Sequence, residues 1–219
     1  MKIIIMGGKG TAINIADQVV DAQLSYGENI EFLGYSIDDI SLGEYINGYP
    51  ILCSTKGLMD KFGCYSDIKF IFALYKPEKM KERVQLLKRY DIPLNKFCNF
   101  VHPSVYLSKT AIVGWGNVVL SHCSIHSNVQ IGNYNIINSN VIVEHDTQIK
   151  NSNFIAASAC VGSNVKLHNG VFIGLNSSIR ENVCIQDYAF IGMGSNVLKD
   201  TNANTIVYGN PAKEYKHDI

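Results

Sequence analysis

The stretch that decides the fold is residues 137–161, which read INSNVIVEHDTQIKNSNFIAASACV. Every sixth residue in it is aliphatic, and the same frame runs from Val101 to Val197 without an exception. Residues 101–200 contain 30 Ile, Leu and Val residues, so an even spread would place five in each of the six frames. One frame holds 17 of them, and the chain therefore contains a repeat of six residues.

A period of six matches neither the two-residue period of a strand nor the period of a helix. It is typical of a β-solenoid in which each flat face takes one hexad and the aliphatic residue points inward. The third and fourth places are rich in Asn, Ser, Gly and Asp, which tolerate left-handed turns. The pattern resembles the hexapeptide-repeat family of left-handed parallel β-helices, in which three hexads form one triangular coil. A β-sandwich would instead show turns at irregular intervals of about 8–12 residues.

Residues 1–100 follow a different pattern, in which strand-like runs alternate with amphipathic helices. Strands are predicted at KIIIM, NIEFLGY and KFIFAL, and helices at TAINIADQVVDAQ and PEKMKERVQLLKRYDI. This alternation implies a small parallel sheet, so we expect a Rossmann-like α/β domain. The predicted organisation is an α/β domain over residues 1–100, a β-helix over 101–200 and a C-terminal tail over 201–219.

Composition argues against several classes of protein. Lys plus Arg and Asp plus Glu each number 19, whereas a nucleic-acid binder needs a positive surplus. The six cysteines are scattered without a CxxC pair, which disfavours a disulfide framework or a structural zinc site. The opening MKIIIMGG is too short for a signal peptide, and no run approaches about 18 apolar residues. We therefore expect a cytoplasmic protein that neither inserts into membranes nor binds nucleic acid.

A charged triplet, Glu144, His145 and Asp146, lies between the aliphatic frame positions Val143 and Ile149. Because Val143 points inward in the hexad frame, the side chain of His145 should face outward at a corner. A carboxylate beside an imidazole can orient the ring and raise its basicity, as general-base catalysis near neutral pH requires. Four other histidines have no adjacent acid, and His217 lies in the terminal tail. His145 is the candidate base, and an inert solvated corner is the alternative.

Three motifs together resemble one family of enzymes. The E-H-[DE] triplet at residues 144–146, V-H-P-S at 101–104 and G-N-P-A-K at 209–213 are similar to motifs of hexapeptide-repeat sugar acetyltransferases. This family includes sialic acid O-acetyltransferases and nucleotide-aminosugar N-acetyltransferases of the bacillosamine and perosamine type. The resemblance covers essentially the whole chain. It implies acetyl transfer from acetyl-CoA to a nucleotide-linked amino sugar, in surface-glycan synthesis such as lipopolysaccharide biosynthesis.

The resemblance also implies roles for individual residues. His145 would be the general base and Asp146 would raise its basicity, with Glu144 the less favoured partner. The family binds acetyl-CoA between the subunits of a homotrimer, and no metal is expected. Leu175 and Met193 are one coil apart, so they should stack on each other. The positions that match the family's acetyl-CoA groove are Phe154, Ser163, Leu175 and Met193.

The chain departs from the family pattern at several places. Close relatives have a second histidine nine residues after the base, where this chain has Phe154. They have an acidic pair after the second strand, where this chain has Gly34 and Tyr35, with Asp38 and Asp39 a little later. These differences leave the identity of the acceptor open.

The glycine turn GGKGTA at residues 7–12 also differs from the family's G-x-S-G-H-G type turn. Glycines before a helix N-terminus can hold a phosphate, with Lys9 adding charge, although a plain strand-to-helix connection looks the same. The residues that we expect at the acceptor and its nucleotide are Gly8, Lys9, Gly10, Thr11, Tyr35 and Tyr75.

Three alternatives to N-acetylation stay open. The first is O-acetylation of a sialic acid or a similar sugar. The second is a zinc hydro-lyase of the γ-carbonic-anhydrase kind, which would need His122, His126 and His145 around a metal. The third is a non-catalytic trimeric scaffold.

Overall fold

The computed structural model describes residues 1–215, except for the side chain of Ile40. The last four residues of the predicted C-terminal tail lie outside this range. The chain begins with an α/β unit that contains the three strands and two helices expected from the sequence, together with a hairpin and a short helix that the sequence pattern did not predict. These elements are β1 (Lys2–Met6), α1 (Thr11–Tyr26), β2 (Glu31–Ser36), β3 (Tyr45–Ile46), β4 (Tyr49–Cys53), α2 (Leu58–Phe62), β5 (Ile68–Phe72) and α3 (Met80–Arg89), with 3₁₀ turns at Ile40–Leu42, Pro77–Lys79 and Leu94–Lys96.

The α/β unit contains one five-stranded sheet in the order β3-β4-β2-β1-β5. Strands β4, β2, β1 and β5 are parallel, as expected, but β3 is an antiparallel edge strand that the sequence pattern did not predict. Its hairpin with β4 turns at Asn47 and Gly48, whose φ angles are 49° and 80°. Asn-Gly is the preferred dipeptide for a tight hairpin turn with two positive φ angles.

The core of the unit follows from its hydrophobic pattern. Strand β1 is buried from Ile3 to Met6, as expected for a strand inside a parallel sheet. Helix α1 buries Ile15 and Val19 on one face, and it ends at Gly27 with a left-handed φ of 72°. The sheet and α1 of this unit therefore pack together around buried apolar side chains.

The second part of the chain is a parallel β-helix of short strands spaced six residues apart. The strands that begin between Phe100 and Ser178 each pair with the strand 18 residues further on, so one coil contains three hexads. The strands are β6 (Phe100–Val101), β7 (Tyr106–Leu107), β8 (Ile112–Val113), β9 (Val118–Val119), β10 (Ser124–Ile125), β11 (Gln130–Ile131), β12 (Ile136–Ile137), β13 (Ile142–Val143), β14 (Gln148–Ile149), β15 (Phe154–Ile155), β16 (Cys160–Val161), β17 (Lys166–Leu167), β18 (Phe172–Ile173), β19 (Ser178–Ile179), β20 (Cys184–Ile185), β21 (Phe190–Ile191), β22 (Asn196–Val197), β23 (Ile206–Gly209) and β24 (Ala212–Glu214).

The strands form three flat faces. Face 1 consists of β7, β10, β13, β16, β19 and β22, and face 2 consists of β8, β11, β14, β17 and β20. Face 3 runs from β6 through β9, β12, β15, β18 and β21 to β23, and the antiparallel strand β24 completes it. The predicted fold class, a small α/β part followed by a left-handed parallel β-helix, is confirmed.

The hexad frame describes the interior of the β-helix. Its inward residues are buried without exception from Val119 to Val197. In the first coil the inward Leu107 is 37% exposed, because no further coil stacks on that end. The fourth residue of each hexad from Gly116 to Gly194 has a positive φ and makes the corner, which explains why Asn, Ser and Gly recur there.

The α/β unit packs against face 3. Apolar side chains of that face share one buried core with the sheet and helices of the unit. Polar contacts hold the same interface: Gln18 accepts a hydrogen bond from the Ser121 amide at 2.7 Å and donates one to Ser139 Oγ at 3.0 Å. The hydroxyl of Tyr75 donates to the carbonyl of Tyr134 at 2.8 Å. Within residues 1–215, no helix is both long and apolar enough to cross a membrane.

Candidate functional site

His145 lies at the corner between faces 1 and 2, two residues beyond the inward Val143. Val143 is fully buried, whereas the His145 side chain is 53% exposed, so the imidazole faces outward as the hexad frame predicts. His145 Nδ1 lies 2.7 Å from Asp146 Oδ2. Asp146 has a φ of 60°, and this left-handed corner conformation brings its carboxylate back to the preceding side chain.

Asp146 is held in its ionised form. The hydrogen bond with His145, followed by one from Asn128, lowers the pKa of the carboxyl below its usual range. Asn128 occupies the same corner one coil earlier, and its Nδ2 donates to Asp146 Oδ1 at 3.0 Å. Because a carboxylate can only accept, Nδ1 of His145 must carry the hydrogen of their bond. The Nε2 atom of a neutral His145 then has a free lone pair.

Glu144 has a different partner. Its Oε2 lies 3.0 Å from Nδ1 of His126, which occupies the equivalent position of the preceding coil. His126 Nε2 in turn lies 3.0 Å from Ser124 Oγ. This Ser–His–Glu arrangement was not predicted from the sequence, because His126 has no acidic neighbour along the chain. The spacing of 18 residues, one coil, is the signal that could have found it.

The Ser124–His126–Glu144 chain lacks what a serine nucleophile needs. Acyl transfer through serine requires amide hydrogens that are free to bind the oxyanion. The amide of Ser124 donates to Val141 at 2.9 Å, and that of His126 donates to Val143 at 3.0 Å. These two strand amides are therefore used in stacking the coils, and Glu144 is bonded to His126 instead of His145.

The positions expected to bind acetyl-CoA lie in three places. Ser163 is one coil beyond His145 at the same corner, and the amide of Asn164 donates to the His145 carbonyl at 3.1 Å. Leu175 and Met193 are stacked one coil apart at the corner between faces 3 and 1, and they are 50% and 75% exposed. Within one chain, face 1 separates this apolar corner from His145.

Phe154 is buried on face 3. Its ring is 8% exposed in the core shared with the α/β unit, and it stacks on Phe172 with ring centroids 5.6 Å apart. Strand β15 places it there because residues that flank an inward position point out of the solenoid. The structure thus gives Phe154 a packing role away from His145.

A second candidate site is a crevice of about 460 Å³ at the carboxyl edge of the α/β sheet. Chain order reverses there, because β2 lies on one side of β1 and β5 on the other. Ligands of open α/β sheets bind at such a reversal point. The crevice is lined by Gly7, Gly8, Lys9, Ile37, Asp38, Asp39, Thr55, Ala73, Leu74, Tyr75, Lys76, Arg83, Leu86 and Tyr90.

The acidic pair of this crevice is Asp38 and Asp39. Strand β2 continues to Ser36, so the pair follows the strand closely, and the interpretation that Gly34 and Tyr35 replace it was wrong. A hydrogen bond from Lys9 at 2.8 Å, followed by bonds from Ser41, lowers the pKa of Asp39 to about 2.

Only some of the residues expected at the acceptor nucleotide line this crevice. Gly8, Lys9 and Tyr75 line the crevice, whereas Gly10 and Thr11 begin helix α1 outside its lining. Tyr35 is fully buried in β2, where burial raises the pKa of its hydroxyl to about 12.

Gly8 lies in close contact with the segment that follows β2. A Cβ at this position would lie 2.6 Å from Ile46 Cδ1 and 3.2 Å from Ile37 Cδ1, because the segment after β2 folds over the glycine turn.

A larger cleft, of about 530 Å³, lies between α3 and the corner between faces 2 and 3, away from His145. Its polar wall is a ladder of side chains on successive coils. Asn151 donates to Asn169 at 3.1 Å, and Asn169 donates to Asp187 at 3.0 Å. These side chains satisfy one another, so the ladder has a structural role.

The three histidines of the zinc alternative do not converge. His122 lies at the corner between faces 3 and 1, His126 on face 1 and His145 at the corner between faces 1 and 2. Within residues 1–215, no three His, Cys, Asp or Glu side chains are grouped in a way that could hold a metal ion.

Solved structures share this fold over the full chain. The acetyltransferase domain of PglB from Neisseria gonorrhoeae, solved with acetyl coenzyme A, is 21% identical with a TM-score of 0.82, over 98% of each chain. PerB from Caulobacter crescentus, solved with CoA and GDP-perosamine, is 20% identical with a TM-score of 0.78, over 99% of this chain and 98% of that one. WeeI from Acinetobacter baumannii AYE is 22% identical with a TM-score of 0.79, over 98% of this chain and 100% of that one.

These similarities establish the fold, a small α/β part with a left-handed β-helix. The family resemblance of the sequence motifs agrees with them at that level. A scan against protein-family models and a search of curated proteins found no match.

Proposed function

We propose that the chain is an acetyl-CoA-dependent acetyltransferase that N-acetylates a nucleotide-linked amino sugar. The observation that carries this proposal is the outward His145, whose Nδ1 is held 2.7 Å from the ionised Asp146. The arrangement suits a general base near neutral pH. The likeness in fold to the PglB acetyltransferase domain, solved with acetyl coenzyme A, and to PerB, solved with CoA and GDP-perosamine, supports the choice of substrates.

The reaction follows from the free lone pair on His145 Nε2. The neutral amine of the acceptor attacks the thioester carbonyl carbon and forms the new C–N bond, while Nε2 takes a proton from the amine nitrogen. Asp146 stabilises the resulting imidazolium and keeps its orientation. The tetrahedral intermediate then collapses, the C–S bond breaks, and the CoA thiolate receives the proton from Nε2. The products are the amide and free CoA thiol, and no metal is needed.

The acetyl-CoA site in this proposal is formed between subunits of a homotrimer. His145 and the apolar pair Leu175 and Met193 lie at different corners of one chain, so one chain provides only half of a cleft. A neighbouring chain can bring its Leu175 and Met193 against His145 and Ser163. Leu175 and Met193 are 50% and 75% exposed and lie one coil apart, so together they form an apolar surface that such a contact would cover.

The acceptor nucleotide occupies the crevice at the carboxyl edge of the sheet, which Gly8, Lys9 and Tyr75 help to line. The domain over residues 1–100 would thus bind the acceptor, and the β-helix over residues 101–200 would carry the chemistry. We place the enzyme in the cytoplasm, in surface-glycan synthesis such as lipopolysaccharide biosynthesis, where nucleotide sugars are assembled.

A thiol-release assay tests the proposal. Acetyl-CoA is offered with UDP-, GDP- and dTDP-linked 4-amino sugars, and with sialic acids as O-acetylation acceptors. We expect CoA release with an amino sugar, and a product mass increased by one acetyl group. Release with sialic acids alone would support the O-acetylation alternative, and no release with any acceptor would reject acetyl transfer. Loss of release in His145→Ala ties the activity to the site.

A further inference from the structure

Arg83 is the cation of the acceptor crevice that the sequence motifs do not point to. It lies on α3, three residues before Leu86 and seven before Tyr90, so all three face the same side of the helix. Together they form the wall opposite the loops that follow β1, β2 and β5. Helix packing therefore directs a guanidinium toward the ends of the parallel strands.

In the part of the chain that the structure describes, the guanidinium of Arg83 forms no ion pair shorter than 4.0 Å. Its side chain is only 26% exposed, and its nearest carboxylate is Glu82, with an N–O distance of 4.0 Å. Its Nε–H is buried without a hydrogen-bond partner anywhere in residues 1–215. Buried donors are almost always paired, and a partly buried charge is costly without a counter-ion. The two observations together indicate that an anion completes this site.

Of the charged side chains that line the crevice, Arg83 is the best placed to bind an anion. Lys9 is already neutralised by Asp39 at 2.8 Å. Asp38 accepts a hydrogen bond from the Tyr90 hydroxyl at 3.2 Å, and within residues 1–215 it forms no ion pair with Arg83. Lys76 lines the same crevice and forms no ion pair among the described residues. Arg83 and Lys76 are therefore the two cations available to a ligand that carries two negative charges.

We propose that Arg83, assisted by Lys76, binds the diphosphate of the acceptor, and that Lys9 contributes through its bond to Asp39 instead of by direct contact. The arginine guanidinium suits this role because it can bind two phosphate oxygens in a bidentate geometry. The inference rests on the proposed function, since it names the group of the nucleotide-linked sugar that this crevice holds.

Calorimetric titration of the full chain with GDP, UDP and dTDP, and with the matching nucleosides, tests the assignment. Arg83→Gln should weaken binding of the preferred diphosphate about 10- to 100-fold, the range expected for one charge-assisted hydrogen-bond pair. Its affinity for the nucleoside should not change. Arg83→Lys keeps the positive charge but loses the bidentate guanidinium. Its affinity for the diphosphate should therefore lie between those of Arg83→Gln and the unmodified protein. Arg89→Gln removes the same charge from an exposed position of the same helix and should bind as the unmodified protein does.

Three results would overturn the assignment. They are unchanged diphosphate affinity in Arg83→Gln, equal weakening for nucleoside and diphosphate, and no diphosphate binding by the unmodified protein. The thiol-release assay separates this inference from the proposed function. If Arg83→Gln transfers acetyl groups with an unchanged KM for the acceptor, the role of Arg83 is rejected and the acetyltransferase proposal stands. Arg83-dependent diphosphate binding without any acetyl transfer would reject the acetyltransferase and keep the anion site.

Discussion

Replacing Asp146 with Asn tests the role of the carboxylate separately from that of the general base His145. Asparagine has the same size, and it tolerates the left-handed φ of 60° that the corner requires. The substitution removes the negative charge, and its amide can donate to Nδ1 of His145. That donation would place the ring hydrogen on Nε2 and leave no lone pair for the acceptor proton.

The expected loss is intermediate. Complete removal of the base in His145→Ala should lower kcat/KM roughly 100- to 10,000-fold, the usual value of general-base catalysis. Asp146 acts only through His145, and the two side chains are 43% and 53% exposed, so water screens their interaction. We therefore expect Asp146→Asn to lower kcat/KM by about 10- to 100-fold.

Glu144→Gln is the matched control, because Glu144 is adjacent in sequence yet bonded to His126 at 3.0 Å. It should change kcat/KM by no more than about twofold, as substitutions outside a site usually do. All variants are compared by thiol release at saturating acetyl-CoA, after circular dichroism confirms their fold. Full activity in Asp146→Asn, or an equal loss in Glu144→Gln, would refute the assignment of Asp146 as the partner of His145.

Three further predictions concern assembly and stability. Met193→Glu should leave the secondary structure unchanged but weaken trimerisation and raise the KM for acetyl-CoA. If light scattering and kinetics both match the unmodified protein, the acetyl-CoA cleft between subunits is contradicted. Leu167→Ala, at a fully buried position, should lower the free energy of unfolding by about 2–5 kcal/mol in urea titrations. Leu107→Ala, in the open first coil, should lower it by less than about 2 kcal/mol. Equal losses would argue that the first coil is covered. Because the pKa of Asp39 is lowered from 3.8 to about 2, its ionised form stabilises the folded chain above the unfolded value and this contribution disappears as the pH falls toward 2. The urea midpoint of Asp39→Asn should therefore be lower than that of the unmodified chain at pH 5, and the gap should shrink as the pH falls through about 2. A gap of unchanged size near pH 2 would contradict the Lys9 pairing.

The β-helix and the His145–Asp146 pair could be predicted from the sequence because both depend on short-range order. A repeat of six residues sets which side chain points inward, so the repeat alone places Val143 and His145 on opposite sides of the wall. His145 and Asp146 are neighbours along the chain, and one corner turn suffices to bring their side chains together. Their proposed roles remain predictions.

The remaining contacts were decided by tertiary structure, since they join residues that are distant along the chain. Stacking of coils pairs Glu144 with His126, and docking of the α/β unit on face 3 buries Phe154. The length of β2 puts Tyr35 in the core and leaves Asp38 and Asp39 at the crevice. No local sequence pattern distinguishes Arg83, because it lines the crevice only through the packing of α3 against the ends of the sheet. Sequence by itself determined the repeat and the acid–base pair, and the packing of separate elements determined what surrounds them.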